Sequence, residues 1–188
     1  MVTVAGIDQS KFGFGWALGS DDPGAIPKWG TDDLSQAGKN EGLMFHLATK
    51  RVNWLIDHGA QKVFFEKPIP MRHDNIDDSM IKFGILAVMM QACYERKTPY
   101  AWVDQRHWRD RFLGISKPPP GISDSKARRK WYKEAAMQQC LARNWLVEDD
   151  NAAEALGILD FGLAASSAPY KRRVGPIIRR AELKRMLL

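Results

Sequence analysis

Val2-Thr3-Val4-Ala5-Gly6-Ile7-Asp8-Gln9-Ser10-Lys11-Phe12-Gly13-Phe14-Gly15-Trp16-Ala17-Leu18-Gly19 opens the chain with two stretches of different texture. Residues 2 to 8 are apolar on both sides, which predicts a central strand. Gln9-Ser10-Lys11 predicts a turn. Beyond it Phe12, Phe14, Trp16 and Leu18 alternate with Gly13, Gly15, Ala17 and Gly19, the period of a strand with one bulky face. Strand, short turn and strand predict an antiparallel hairpin. Asp8 ends the first strand, an expensive place for a carboxylate unless it is paired or bound to a cation.

Working outward, a weaker third strand is expected around Ile26 to Gly30. Met44, Leu47, Ala48, Val52, Leu55 and Ile56 fall at helical spacing, and His58-Gly59 supplies a stop. Lys62 to Glu66 predicts a strand, and Pro68 and Pro70 begin a polar loop through Asp78. An apolar helix is expected from Ile81 to Tyr94, then a strand from Tyr100 to Asp104 and a short segment with Trp108, Arg109 and Phe112. Pro118-Pro119-Pro120-Gly121 forms an extended spacer. A long helix starts near Ser123 or Asp124 and runs to Ala142, and a last one runs from Asn151 to about Ala165. A hairpin followed by strand–helix alternation predicts an α/β fold, a mixed sheet flanked by helices.

Sites in such sheets form at the C-terminal ends of parallel strands. Asp8 and Glu66 both stand at strand ends and converge if their strands are neighbours. The helix near Asp150 brings further ligands: Asp150 and Glu154 are four apart, Asn151 and Glu154 three apart, so one stripe can hold all three. Gathered carboxylates repel unless cations lie between them. All-oxygen ligands suit Mg²⁺ or Mn²⁺, and the absence of a nearby His or Cys cluster argues against zinc. The plainer alternative is that Asp8 only forms a turn and that Asp150 or Asn151 only caps a helix. Asp149 is expected to be solvated, and Trp102 and Trp108 are expected to pack, with base stacking as the alternative for both.

The chain has 188 residues, 45% hydrophobic and 27% charged, which suits one domain with a substantial core. No apolar run is long enough to span a membrane and no basic leader precedes the first strand, so a cytoplasmic protein without membrane association is expected. Cys93 and Cys140 are isolated, with no metal or redox spacing, and are expected as buried thiols. Lys171, Arg172, Arg173, Arg179, Arg180, Lys184 and Arg185 face only Glu182 in the last residues, so that tail carries the whole formal net charge of +6. Such a tail points to a polyanionic partner or, equally, to a solvated segment. On the long helix Lys126, Arg129, Lys130 and Lys133 make one basic face opposite Tyr132, Ala136, Met137, Cys140 and Leu141.

These motifs together resemble the RuvC-type Holliday junction resolvases of the ribonuclease H-like superfamily, over about Val2 to Ala165. Gly6-Ile7-Asp8-Gln9-Ser10, with Gly15 and Ala17, resembles the family's first strand and hairpin. Val63-Phe64-Phe65-Glu66 resembles its second acidic motif. Asn151-Ala152-Ala153-Glu154-Ala155-Leu156 resembles its C-terminal Asp-Ala-Ala-Asp-Ala-Leu pattern. Gln9-Ser10 replaces the Pro-Gly of cellular members and is closer to phage or prophage members. Glu154 stands where Asp is usual, and Asn151 replaces the partner acid.

The resemblance implies a mixed five-stranded ribonuclease H-like sheet, a nuclease domain over 1–168 and a basic tail over 169–188. It implies hydrolysis of phosphodiesters in four-way (Holliday) junctions by paired incisions that leave 5′-phosphates. Asp8, Glu66, Asp150 and Glu154 would be catalytic; with Asn151 they would hold two Mg²⁺ or Mn²⁺ ions. DNA would be held by Lys11, Lys67, Arg72, Lys126, Arg129, Lys130, Lys133, Arg172 and Arg173. A homodimer is implied, and the helix from Ile81 to Tyr94, with Met89 and Met90, is the candidate interface; covering the sheet is its alternative role. Other branched or hybrid substrates, or a junction-binding protein with weakened chemistry, remain open.

Overall fold

The structure is a computed structural model, and it describes residues 1–10, 12–68, 76–115 and 117–178. Strands β1 (Thr3–Gln9), β2 (Gly13–Ser20) and β3 (Lys28–Asp33) lead into a 3-10 turn at Leu34–Ala37 and helix α1 (Glu41–Asp57). Then come β4 (Lys62–Glu66), α2 (Ile76–Glu95), β5 (Tyr100–Val103), α3 (Gln105–Leu113), α4 (Ser125–Ala142), α5 (Asp150–Ser166) and α6 (Ala168–Arg173). The five strands form one sheet in the order β3-β2-β1-β4-β5. The hairpin is antiparallel, with Ile7 opposite Trp16, while β1, β4 and β5 run parallel.

Alternation along the strands divides the core in two. Val4, Ala17, Phe64 and Val103 pack under α3, α4 and α5, whereas Ala5, Ile7, Phe14, Val63 and Phe65 pack under α1 and α2. The small residues of β2 face α5 and its bulky ones face α1. This explains the texture of the hairpin: a Cβ on Gly6 would run into Leu159 N and Ala155 O, and one on Gly15 into the Asn151 carbonyl. α5 therefore lies directly on the sheet.

Several boundaries differ from the sequence reading. β3 lies two residues later than expected and extends to Asp33, where its residues pair with β2. α2 begins at Ile76, inside the expected polar loop, with Asp77 and Asp78 in its first turn. Acids there favour a helix start through the helix dipole. α6 is an element that the tail expectation did not contain, and its Tyr170 is buried. Leu141, expected on the buried face of α4, is mostly exposed near the helix end, and Trp102 is half-exposed on edge strand β5 rather than packed. Cys93 and Cys140 are free and buried, and burial pushes both thiols up to about 12. Among the described residues no helix is long and apolar enough to cross a membrane.

Candidate active site

Ile7 pairs with Phe65 across β1 and β4, so Asp8 and Glu66 emerge side by side where these central strands end. Both belong to the register that faces α5. The Gln9 side chain donates to the Glu66 carbonyl at 3.2 Å and ties the two strand ends together. Ser10 Oγ closes the hairpin by donating to Gly13 O at 2.6 Å and accepting from Gly13 N at 2.9 Å. α5 then carries Glu154 toward the same acids. Asp8, Glu66 and Glu154 retain only 6%, 8% and 7% of their surface.

The start of α5 is arranged differently from the sequence reading. Its cap is Asp149, which accepts from Ala152 N at 2.9 Å and from Thr31 Oγ1 at 2.8 Å, so Asp149 is engaged rather than solvated. Asp150, Asn151 and Glu154 all lie in the first turns of α5, and Asp150 is within electrostatic reach of Glu154. Asp150 is ion-paired with Lys133 of α4, Asn151 lies against Gly13 of β2, and Glu154 points to the acidic centre.

Burial dominates the electrostatics. It pushes the Asp8 carboxyl well above the usual carboxylate range; Glu154 and Glu66 add to this, and Lys133 and Arg109 oppose it. Glu154 is pushed up to about 7, first by burial and then by Glu66, against the pull of Arg109 and Lys133. Burial also raises Glu66, while hydrogen bonds from Gln105 and Trp108 and the charges of Arg109 and Arg129 hold it down.

α3 supplies residues that the sequence reading did not place here. Gln105 Nε2 donates to Glu66 Oε1 at 2.5 Å, and Trp108 Nε1 donates to Glu66 Oε2 at 2.7 Å. Arg109 Nη2 donates to Glu154 Oε1 at 3.3 Å, with its guanidinium 4.2 Å from the Tyr132 ring centre. Gln105, Trp108 and Arg109 fall at i, i+3 and i+4, a donor stripe on a helix that follows β5 directly. That spacing was the available signal.

Of the candidate DNA-binding residues, Lys126, Arg129 and Lys130 are exposed on the first turns of α4, with Lys130 3.6 Å from Glu134. Lys133 lies one turn deeper, on Asp150. Lys67 is exposed and 4.0 Å from Asp104. Arg172 and Arg173 are exposed on α6, where Arg173 donates to Asp21 O at 2.6 Å. Lys11 and Arg72 lie outside the described residues.

The donors suit a hard divalent cation: three buried carboxylates whose mutual repulsion a cation would relieve, with no thiolate or imidazole among them. Glu66 accepts from Gln105 and Trp108, and Glu154 accepts from Arg109. Among the described residues no group of three or more His, Cys, Asp or Glu side chains is gathered tightly enough to enclose an ion.

No known protein family's sequence profile matches the chain, and no curated protein sequence matches it. Solved structures do. Thermus thermophilus RuvC superposes with a TM-score of 0.60 at 15% identity, covering 91% of this chain and 96% of that one. T. thermophilus RuvC in complex with a Holliday junction substrate gives 0.60 at 14% identity over the same shares. The yeast mitochondrial Holliday junction resolvase Ydc2 gives 0.54 at 14% identity, covering 97% of this chain and 83% of that one. With its sheet order, its parallel acid-bearing strands and the helix laid across them, the chain has the ribonuclease H-like fold of the RuvC-type resolvases.

Proposed function

We propose that the chain is a metal-dependent endonuclease that resolves four-way DNA junctions. What supports this reading is that Asp8, Glu66 and Glu154, from three elements, are all buried and within electrostatic reach of one another. Such a cluster stores repulsion that serves no packing purpose, and charge placed this way belongs to a functional site. Two Mg²⁺ or Mn²⁺ ions bound there would activate a water molecule and stabilise the leaving 3′-oxygen, giving 5′-phosphate ends.

Asp8 is central among the holding residues, with Glu66 and Glu154 flanking it. Asp150 and the amide oxygen of Asn151 complete the set once Asp150 releases Lys133. Arg129 and Lys133 lie within electrostatic reach of the acids, so the basic face of α4 leads phosphates into the site. Lys67, Lys126, Lys130, Arg172 and Arg173 extend the contact, and Lys11 and Arg72 join it from outside the described residues. Residues 1–168 are the nuclease unit, and 169–188 add basic charge.

Paired incisions need two sites, and a homodimer supplies them. Met89, part of the candidate interface, is fully buried against α1 and the sheet. The free face of α2 is instead Ile76, Met80, Phe83 and Tyr94, with 75%, 66%, 46% and 81% of their surface exposed. Their spacing follows one helical stripe, suited to a second copy of the same stripe. A second reading, junction binding with weakened chemistry, draws on Asn151 and on the Arg109 that pairs with Glu154.

The deciding experiment is Mg²⁺-dependent nicking of a synthetic four-way junction beside a flap, a fork and an RNA–DNA hybrid, for the wild-type chain and Asp8→Asn. Junction-selective nicking lost in Asp8→Asn supports the proposal. Tight junction binding without nicking in the wild type would leave the second reading, and preference for another substrate would reassign the activity.

A further inference from the structure

Glu66 is held at both oxygens by one helix. Gln105 Nε2 takes Oε1 at 2.5 Å and Trp108 Nε1 takes Oε2 at 2.7 Å. Trp108 has no exposed surface, and its ring lies over Gly157 of α5, where a Cβ would meet the ring edge. The indole is thus wedged between the helix that carries Glu154 and the strand that carries Glu66. Packing alone accounts for the ring, and a buried indole N–H needs an acceptor. It does not account for the choice of acceptor, a buried carboxylate of the acidic cluster, nor for a second donor on that carboxylate's other oxygen.

A carboxylate offers about four lone-pair positions. The two donors use one on each oxygen. They fix the plane of the group, since rotation would break both bonds, and they leave a position on each oxygen for another partner. Asp8 stands on the adjacent strand end. We propose that Gln105 and Trp108 are positioning residues that preset the Glu66 carboxylate to accept a divalent cation. This inference rests on the metal-dependent reading above. Glu66 is the preset ligand, whereas Glu154 and Asp150 must first part from Arg109 and Lys133.

The test measures Mn²⁺ binding to the full chain without DNA, by calorimetric titration and by loss of the free Mn²⁺ resonance signal, for wild type, Trp108→Phe, Gln105→Met, the double variant Trp108→Phe with Gln105→Met, and Glu66→Gln. Partners of this kind typically contribute about 10- to 100-fold in metal affinity. Trp108→Phe and Gln105→Met are each expected to weaken Mn²⁺ binding about 10-fold. The double variant is expected to fall no lower than Glu66→Gln, because all act through one carboxylate. A Trp108 that only packs would lower the unfolding temperature of the metal-free protein and leave Mn²⁺ affinity unchanged, which would overturn the proposal. Gln105 is half-buried, so Gln105→Met decides the matter alone if Trp108→Phe fails to fold. Wild-type Mn²⁺ binding with unchanged variants overturns only this inference, while absence of wild-type binding overturns the metal-dependent reading with it.

Discussion

Arg109 Nη2 stands 3.3 Å from Glu154 Oε1, and both side chains are nearly buried, at 13% and 9% exposure. Together with Lys133 on Asp150 it places positive charge where the proposed cations would bind. In the metal-free protein the Arg109 and Lys133 side chains offset the repulsion among the acids. Arg109→Met is therefore expected to destabilise the metal-free chain by about 3 kcal/mol, since it leaves Glu154 buried and unpaired. The same change is expected to enlarge the rise in Tm on adding Mn²⁺, because a competitor has gone. Thermal scans in chelator and in Mn²⁺ measure both, and a smaller Mn²⁺ response would refute the competition.

The raised acids make stability depend on pH. Glu154 keeps its proton up to about 7 in the folded chain, against an ordinary value of 4.5. Between these values the folded state binds more protons than the unfolded one, so stability falls as pH rises. The contribution is full below the lower value and lost above the upper one. Asp8 is shifted in the same direction. Without metal, the wild type is expected to lose on the order of 1–3 kcal/mol relative to Glu154→Gln across this window. Mn²⁺ affinity should rise with pH over the same range, because the ion displaces a proton. Parallel pH profiles of the two proteins in chelator would count against this assignment.

The basic face of α4 should act through phosphates. Arg129 is exposed yet close enough to pull on Glu66, whereas Lys130 shares its charge with Glu134 at 3.6 Å. Arg129→Ala is expected to reduce the slope of log affinity against log salt by about 0.9 on duplex arms, and Lys130→Ala by less. Equal and negligible changes in both slopes would remove α4 from the DNA interface.

Where the C-terminal segment is cut should separate folding from binding. Gln139 Nε2 donates to Ile178 O at 2.8 Å, and its Oε1 accepts from Ile177 N at 3.2 Å. Arg143 donates to Gly175 O at 3.1 Å and Arg111 to Val174 O at 2.6 Å. Truncation after Tyr170 strands these groups and is expected to cost about 3 kcal/mol or more. Truncation after Ile178 removes Arg179, Arg180, Lys184 and Arg185 and none of these bonds. It should leave Tm near wild type while weakening DNA binding and flattening its salt dependence. Unaltered affinity and slope would reassign the tail.

Met80→Asp with Phe83→Asp should abolish dimerisation, since charges on the apolar stripe of α2 would face each other across a two-fold axis. Sedimentation of the wild type and the double variant, free and on junction DNA, measures this. A wild type that is monomeric in both conditions would end the dimer proposal.

Local pattern carried much of this molecule. The alternation from Phe12 to Gly19, the apolar run before Asp8 and the prolines after Glu66 sufficed for the hairpin, the strand–helix order and the placement of acids at strand ends, because side-chain periodicity and backbone restriction act within a few residues. Cys93 and Cys140 were legible as buried thiols for the same reason. The partners of those acids were not. Trp108 reaches Glu66 only because β5 docks beside β4 and swings α3 over the strand ends, and Lys133 meets Asp150 only because α4 packs on α5. Asp149 caps α5 through the nearby Ala152 N, but its second bond, from Thr31, exists only because β3 lies beside it. Such pairings join residues far apart in the chain. The chain's chemistry names the groups that need a counter-charge or a donor, and the packing of sheet and helices decides which side chain supplies it.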